Sequence, residues 1–247
     1  MIRHLGLLVC FTIAFHAILA PTSAAAENAN DLVKQADVFR FPSGTTSSVV
    51  SVVDFSGTKK VRESEYKVIS DGITRSIVET LTPARQKGRK LLMIESDLWF
   101  FSPDIRRPTR VSLQQKLTGE VANGDLASTN YAGDYGAEIV GHELLGGTKA
   151  IRLKLRAKKK TTTYSALDYW VNETTGAPMR ADFLSTSGKV IKSGTFEKFA
   201  PVLGHSRVVQ FRIQDALAKS RSSLLTYSKF QNERANPAIF SKESMTR

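Results

Sequence analysis

The sequence predicts a mainly β protein of α+β character. One strongly curved antiparallel sheet forms an unclosed half-barrel, with an N-terminal helix and short helices covering its concave face. Three observations lead there. Turn signals recur about every 8–12 residues from Thr45 onward, which is the mark of antiparallel chains. Apolar and polar residues alternate between them with the period of a half-buried strand. Only one stretch ahead of Thr45 keeps helical spacing. A sheet of roughly ten or more strands cannot stay flat, so it must curl around whatever its apolar face buries.

The chain opens with Arg3, an apolar stretch over residues 5–20 and small residues at 22–26. This reads as a signal peptide over residues 1–26, cleaved near Ala26, so the expected location is the periplasm and 27–247 the expected single domain. The apolar stretch is short of the ~20 residues a membrane span needs. Cys10, the only cysteine, lies inside that stretch rather than after small residues at its end, unlike a lipid-attachment site. The chain after residue 26 therefore has no disulfide, thiolate zinc site or cysteine nucleophile.

In "NDLVKQADVFRF", residues 30–41, Leu32, Val33, Ala36 and Phe39 share a helical face, with Asn30 or Asp31 as cap. Pro42-Ser43-Gly44 ends the helix. Strands then follow in order as "VVSVVDF", "KVRESEYKVI", "TRSIVETL", "RKLLMI", "LWFF", "GAEIVGHELL", "TKAIRLKLRA", "SALDYWVN", "APMRADFLS", "KVIKSGTFEKF", "SRVVQFRI" and "SSLLTYSKF". Residues 126–138 lack alternation and read as a loop with a helical turn. The clearest strand alternates Ile151, Leu153, Leu155 and Ala157 with Arg152, Lys154, Arg156 and Lys158. Its hairpin partner carries Leu167, Tyr169 and Val171 on one side and Asp168, Trp170 and Asn172 on the other. The pair has an apolar face and a cationic one.

The net charge of +12 falls to +11 without residues 1–26, which hold one basic residue and no acid. Such a surface favours anionic partners, here lipid head groups, peptidoglycan or acidic proteins, or it serves as solvation alone. Catalytic readings find little support. "HELLG" lacks the second histidine of a zinc motif, no Gly-x-Ser-x-Gly elbow is present, and no Gly-rich phosphate loop precedes a helix. A carboxylate pair among Asp97, Asp104, Asp125 and Asp134 stays open, although turn chemistry accounts for Asp104 and Asp125. No enzyme activity, cofactor, metal or nucleic-acid partner is expected.

Residues 85–128 carry a resemblance. Lys87-Gly88-Arg89, Leu98-Trp99-Phe100-Phe101 with Pro103-Asp104, Arg110-Val111-Ser112 and Asn123-Gly124-Asp125-Leu126 resemble the LolA-like family of outer-membrane lipoprotein-sorting proteins, in its spirochaete-type form. The likeness extends loosely through Asp168-Tyr169-Trp170-Val171 and Gly176-Ala177-Pro178. It implies an open β-barrel with helices over its mouth, whose concave face takes up the acyl chains of a lipoprotein or lipid, without catalysis. An inner-membrane transporter and an outer-membrane acceptor are the implied partners of a monomeric carrier. The expected cavity residues are Leu92, Ile94, Trp99, Phe101, Ile151, Leu153, Leu155, Tyr169 and Val171, some of them as plain core. Arg106, Arg107, Arg110, Lys158, Lys159 and Lys160 are the expected rim for anionic head groups, transient membrane contact or a docking partner. Alternation sends Trp99 and Phe101 to one face and Phe100 to the other, and leaves open which face lines the cavity. The alternative is a non-enzymatic envelope module that binds an anionic protein or peptidoglycan through its basic faces.

Overall fold

A computed structural model describes residues 28–246 apart from 73, 128, 129 and 235; the expected signal peptide and Cys10 lie outside the described residues. Helix α1 (Ala29–Arg40) forms where expected, but its cap is Asn28, whose side chain accepts from the Asn30 amide at 3.0 Å. An extended Asn one residue ahead of the first turn satisfies an otherwise orphaned N–H, which Asn30 inside the helix cannot do.

The sequence then runs through β1 (Thr45–Ser56), β2 (Lys59–Asp71), β3 (Arg75–Thr82), β4 (Lys90–Ile94), β5 (Asp97–Phe101) and the short β6 (Thr109–Val111). A small hairpin, β7 (Lys116–Thr118) with β8 (Val121–Ala122), precedes helices α2 (Asn123–Ala127) and α3 (Tyr131–Asp134). The meander resumes with β9 (Tyr135–Leu145), β10 (Thr148–Ala157), β11 (Ala166–Asn172), β12 (Pro178–Leu184), β13 (Val190–Val202), β14 (His205–Asp215) and β15 (Arg221–Asn232). Helix α4 (Lys242–Met245) follows.

All strands but β7 and β8 join one antiparallel sheet in the order β6-β5-β4-β3-β2-β1-β15-β14-β13-β12-β11-β10-β9. The edges β6 and β9 do not pair, so the barrel stays open, as the alternation predicts. Two-residue turns close several hairpins, among them Gly146-Gly147, where both residues adopt positive φ, the geometry that matches strand twist. The twelve strands read from the sequence are all present. Missing from that reading are β6, the β7–β8 hairpin, α2 and α4, each too short to show a period.

The inner face is continuous through the register. Val50 opposes Tyr66 and Tyr227, Phe211 opposes Leu225, and Leu153 opposes both Tyr169 and Ile139. Helix α1 lies against the β9 to β14 half of this face and buries Leu32, Val33 and Ala36 with Ile151, Leu153, Leu155, Tyr169 and Val171. Phe183 and Phe211 leave so little room at Gly194 that an added Cβ would stand 2.5 Å from the Phe211 ring. Gly194→Ala is expected to lower stability by about 1–3 kcal/mol through overpacking, read as a lower urea midpoint at constant slope.

The outer face is covered twice. The segment after β15 packs Phe240 and Met245 over Leu92, Trp99, Phe101, Ile69, Ile77 and Ile94, with the Lys242 ammonium 4.0 Å from the Trp99 ring centre. On β10–β12 the cations are largely answered. Asp168 takes Arg152 and Lys154, each at 2.9 Å, and Arg152 and Arg180 lie against the Trp170 ring.

Candidate cavity under the hairpin roof

Residues 112–134 connect β6 to β9, the two edges of the sheet, and so must cross the inner face. They roof the β1 to β6 half, which α1 leaves uncovered. Asp54 on the floor accepts from Thr118 Oγ1 at 2.9 Å and from Ser223 Oγ at 2.6 Å, and Ser223 Oγ accepts from the Glu120 amide at 2.9 Å. Ser76 Oγ donates to the Ala127 carbonyl at 2.5 Å. These bonds satisfy polar groups that would otherwise be buried without partners.

Space remains on both sides of α2. On one side a narrow cavity of about 50 Å³ lies between Val50, Val68, Met93, Leu126 and Tyr227, with Ser48, Ser70 and Ser76 hydroxyls at its wall. On the other side is a larger cavity of about 280 Å³. Its floor is Tyr66, Val78, Leu91, Phe100 and Val111, its roof Leu117, and its mouth is flanked by Gln86, Arg89, Lys90 and Lys116. The size is near the lower end of the about 300–1,000 Å³ range of small-molecule pockets. No carboxylate lines it among the described residues, while Arg89, Lys90 and Lys116 do.

The inner face also holds a buried polar group beyond α2. Asp37 pairs with Arg40 at 2.8 Å and accepts from the Ala132 amide at 2.9 Å, while the Arg40 guanidinium lies 3.6 Å from the Tyr131 ring centre. The pair is unequal. Burial, which opposes charge, prevails at Asp37 and pushes its carboxyl up to about 6. At Arg40 the same burial is outweighed by Tyr131 and Asp37, and the cation is favoured. Asp125 accepts from Tyr164 Oη at 2.8 Å and from the Ala122 amide at 2.8 Å, and burial raises its pKa. It is a buried residue of α2, and not the turn aspartate expected from sequence.

The sequence-predicted residues fall into three places. Ile151, Leu153, Leu155, Tyr169 and Val171 face inward, yet all are fully buried beneath α1 and line neither cavity. Leu92, Ile94, Trp99 and Phe101 lie on the opposite, outer face in the cluster of Phe240 and Met245, because register pairs Leu92 with Trp99 and Leu91 with Phe100. This corrects their placement in one concave site. Arg110 also belongs to the outer face of β6, bonded to Asp97. Arg106, Arg107, Lys159 and Lys160 are exposed in turns, and Lys158 donates to the Ala132 and Gly133 carbonyls. The cavity residues Tyr66, Val78, Leu91, Phe100, Val111 and Leu117 escaped sequence reasoning. "KLLMI" is apolar on both faces, so its alternation is silent; Ile239, Phe240 and Met245 were the signal that a second layer claims one of them.

A family model described as that of an uncharacterized protein matches residues 72–247. A LolA superfamily protein from Nitrosomonas europaea is 33% identical, with 89% of this chain and 100% of that one covered at a TM-score of 0.84. A putative outer membrane lipoprotein-sorting protein domain from Vibrio parahaemolyticus shares the fold at 16% identity, with 89% and 98% of the chains covered and a TM-score of 0.75. So does a DUF1329 family protein from Desulfovibrio piger, at 20% identity, 87% and 97% coverage and a TM-score of 0.75. No protein of curated function matches the chain.

Proposed function

From the premise that this chain belongs to the LolA superfamily, we propose that it is a non-enzymatic periplasmic carrier. It takes the acyl chain of a lipid or lipoprotein into the cavity beneath the β7–β8 hairpin, for transfer between an inner-membrane transporter and an outer-membrane acceptor. One observation carries the reading: a cavity of about 280 Å³ has an apolar floor and a cationic mouth without a carboxylate. Each methylene buried against Leu91, Phe100 and Leu117 contributes roughly 0.8 kcal/mol, so a chain of ordinary length binds without a directional contact. Arg89 and Lys116 suit an anionic head group at the mouth. The wall of Ile151, Leu153 and Tyr169 serves as the fixed backing on which α1 rests.

Val111 stands on the edge strand β6, half-buried, with its side chain at the cavity. Val111→Trp would occupy the volume of about three methylenes and weaken uptake of a fluorescent fatty acid by about tenfold or more. The thermal midpoint should not change, because β6 keeps its pairing with β5. Undiminished uptake by the folded variant, together with native mass spectra free of lipid, would remove the cavity from the cargo site.

A further inference from the structure

The sheet has two ends, and the antiparallel order assigns every hairpin turn to one of them. At one end lie the turns β1–β2, β3–β4, β5–β6, β10–β11, β12–β13 and β14–β15. They hold Arg85, Lys87 and Arg89, then Arg106 and Arg107, then Lys158, Lys159 and Lys160, and finally Lys189 and Lys219, with Asp104 the single acid. The turns of the other end, β2–β3, β4–β5, β9–β10, β11–β12 and β13–β14, contain Glu95 and Glu173 and not one Lys or Arg. The net charge of the chain is therefore concentrated at one end of the half-barrel. Flanking cations such as Lys60 and Arg221 are already paired with Glu63 and Asp215, so the turns themselves carry the asymmetry.

Apolar side chains stand exposed among these cations. Leu217 is 93% exposed at the tip of the β14–β15 turn, whose backbone is held by the Asp215 carboxylate accepting from the Leu217 and Ala218 amides. Val190 and Ile191 are exposed beside it, joined through the Ala216 amide to the Ile191 carbonyl at 3.1 Å. At the opposite end Leu144 and Leu203 are exposed beside turns that hold no cation, although Lys149 of β10 stands across from Leu144. The turns β5–β6 and β10–β11 are about ten strand spacings apart, or about 45–50 Å along the arc. That exceeds the Debye length several-fold, so the cations act as separate contacts on an extended surface. Cations ringing an exposed leucine and isoleucine, with no exposed aromatic for base stacking in these turns, match an anionic plane over hydrocarbon.

We infer that this end of the half-barrel is a docking surface for an anionic phospholipid bilayer, which sets the cavity mouth between Arg89 and Lys116 against the lipid. Gln86 and Arg89 of the β3–β4 turn, on the cationic end, are among the residues that line the cavity. The inference uses the cavity of the carrier reading as the destination of the lipid, while the charge argument stands without it.

Vesicle co-sedimentation of the chain from residue 27 tests the docking. It should bind phosphatidylglycerol–phosphatidylcholine vesicles and not pure phosphatidylcholine, and release as the Debye length falls from about 10 Å at 0.1 M salt to about 3 Å at 1 M. Reversing Arg106, Arg107, Lys159 and Lys160 to Glu should lower the partition at least about tenfold, and Leu217→Ser should lower it severalfold with little salt dependence. Fatty-acid uptake measured without vesicles should stay at the wild-type level in both variants. A wild type that ignores anionic vesicles, or a quadruple variant that binds them undiminished, overturns the proposal. Equal binding to soluble polyglutamate, with Leu217→Ser neutral on both, assigns the surface to acidic proteins and overturns it too. Vesicle binding without fatty-acid uptake removes the carrier reading and leaves the docking surface standing.

Discussion

Replacing Asp37 with alanine should cost about 3–5 kcal/mol of folding stability, because it removes a hydrogen-bonded carboxylate from the buried Arg40 guanidinium. Only 6% of the Arg40 side chain is exposed, so bulk water makes up little of the loss of Asp37. The same substitution frees the Ala132 amide at the start of α3. Asp37→Leu combined with Arg40→Met should recover much of the loss, since an apolar pair of similar volume needs no desolvation. Urea unfolding of the single and double variants checks this, and a double variant no better than Asp37→Ala would refute it.

Burial of the Asp37 carboxyl, which outweighs its pairing with Arg40, also gives stability a pH dependence of known sign. The folded Asp37 carboxyl, raised to about 6, lies above its unfolded value of ~3.9, so the folded state holds the extra proton in between. The contribution of this group is complete below about pH 3.9 and is lost as the pH rises through about 6. Asp37→Asn should flatten that descent in a plot of urea midpoint against pH. A slope unchanged between the two values would assign the titration to another group.

Gly119→Val should detach the roof. Gly119 has φ +46°, and a Cβ there would stand 1.9 Å from Asp54 Oδ1 and 2.4 Å from Ser223 Oγ. Those atoms form the network that holds the β7–β8 hairpin to the floor, so a side chain at 119 competes with the bonds themselves. Overpacking and a strained backbone together should cost about 2–4 kcal/mol. The readouts are faster proteolysis within residues 112–122 and a shorter residence time for bound fatty acid, with the β9–β14 core still protected from hydrogen exchange. A roof that remains protected in the variant would show that the network does not hold it.

Much of the fold was legible because strand alternation is a direct consequence of one face being buried. The β10–β11 hairpin shows it best: Ile151, Leu153 and Leu155 meet Val171, Tyr169 and Leu167 in register. The candidate site was far less legible. In β4, Leu91, Leu92 and Met93 are all buried, and no period can separate an inner residue from an outer one when both faces are covered. The roof went unread because Leu113, Leu117, Val121 and Leu126 are scattered over short elements whose order comes from docking, not from propensity.

By itself the sequence determined a curved antiparallel sheet with a helix against it, the hairpin turns and their charges. These are local properties, set by side-chain period and turn chemistry within a few residues. Tertiary structure alone decided which face each apolar residue serves. It also decided where α1 fills the half-barrel and where it leaves a cavity, and that the cations gather at one end. These outcomes depend on contacts between residues far apart in the chain, such as Asp54 with Ser223 and Leu92 with Met245. A one-residue shift in register reverses a strand's faces without changing its composition, so the assignment of faces needs the packed whole.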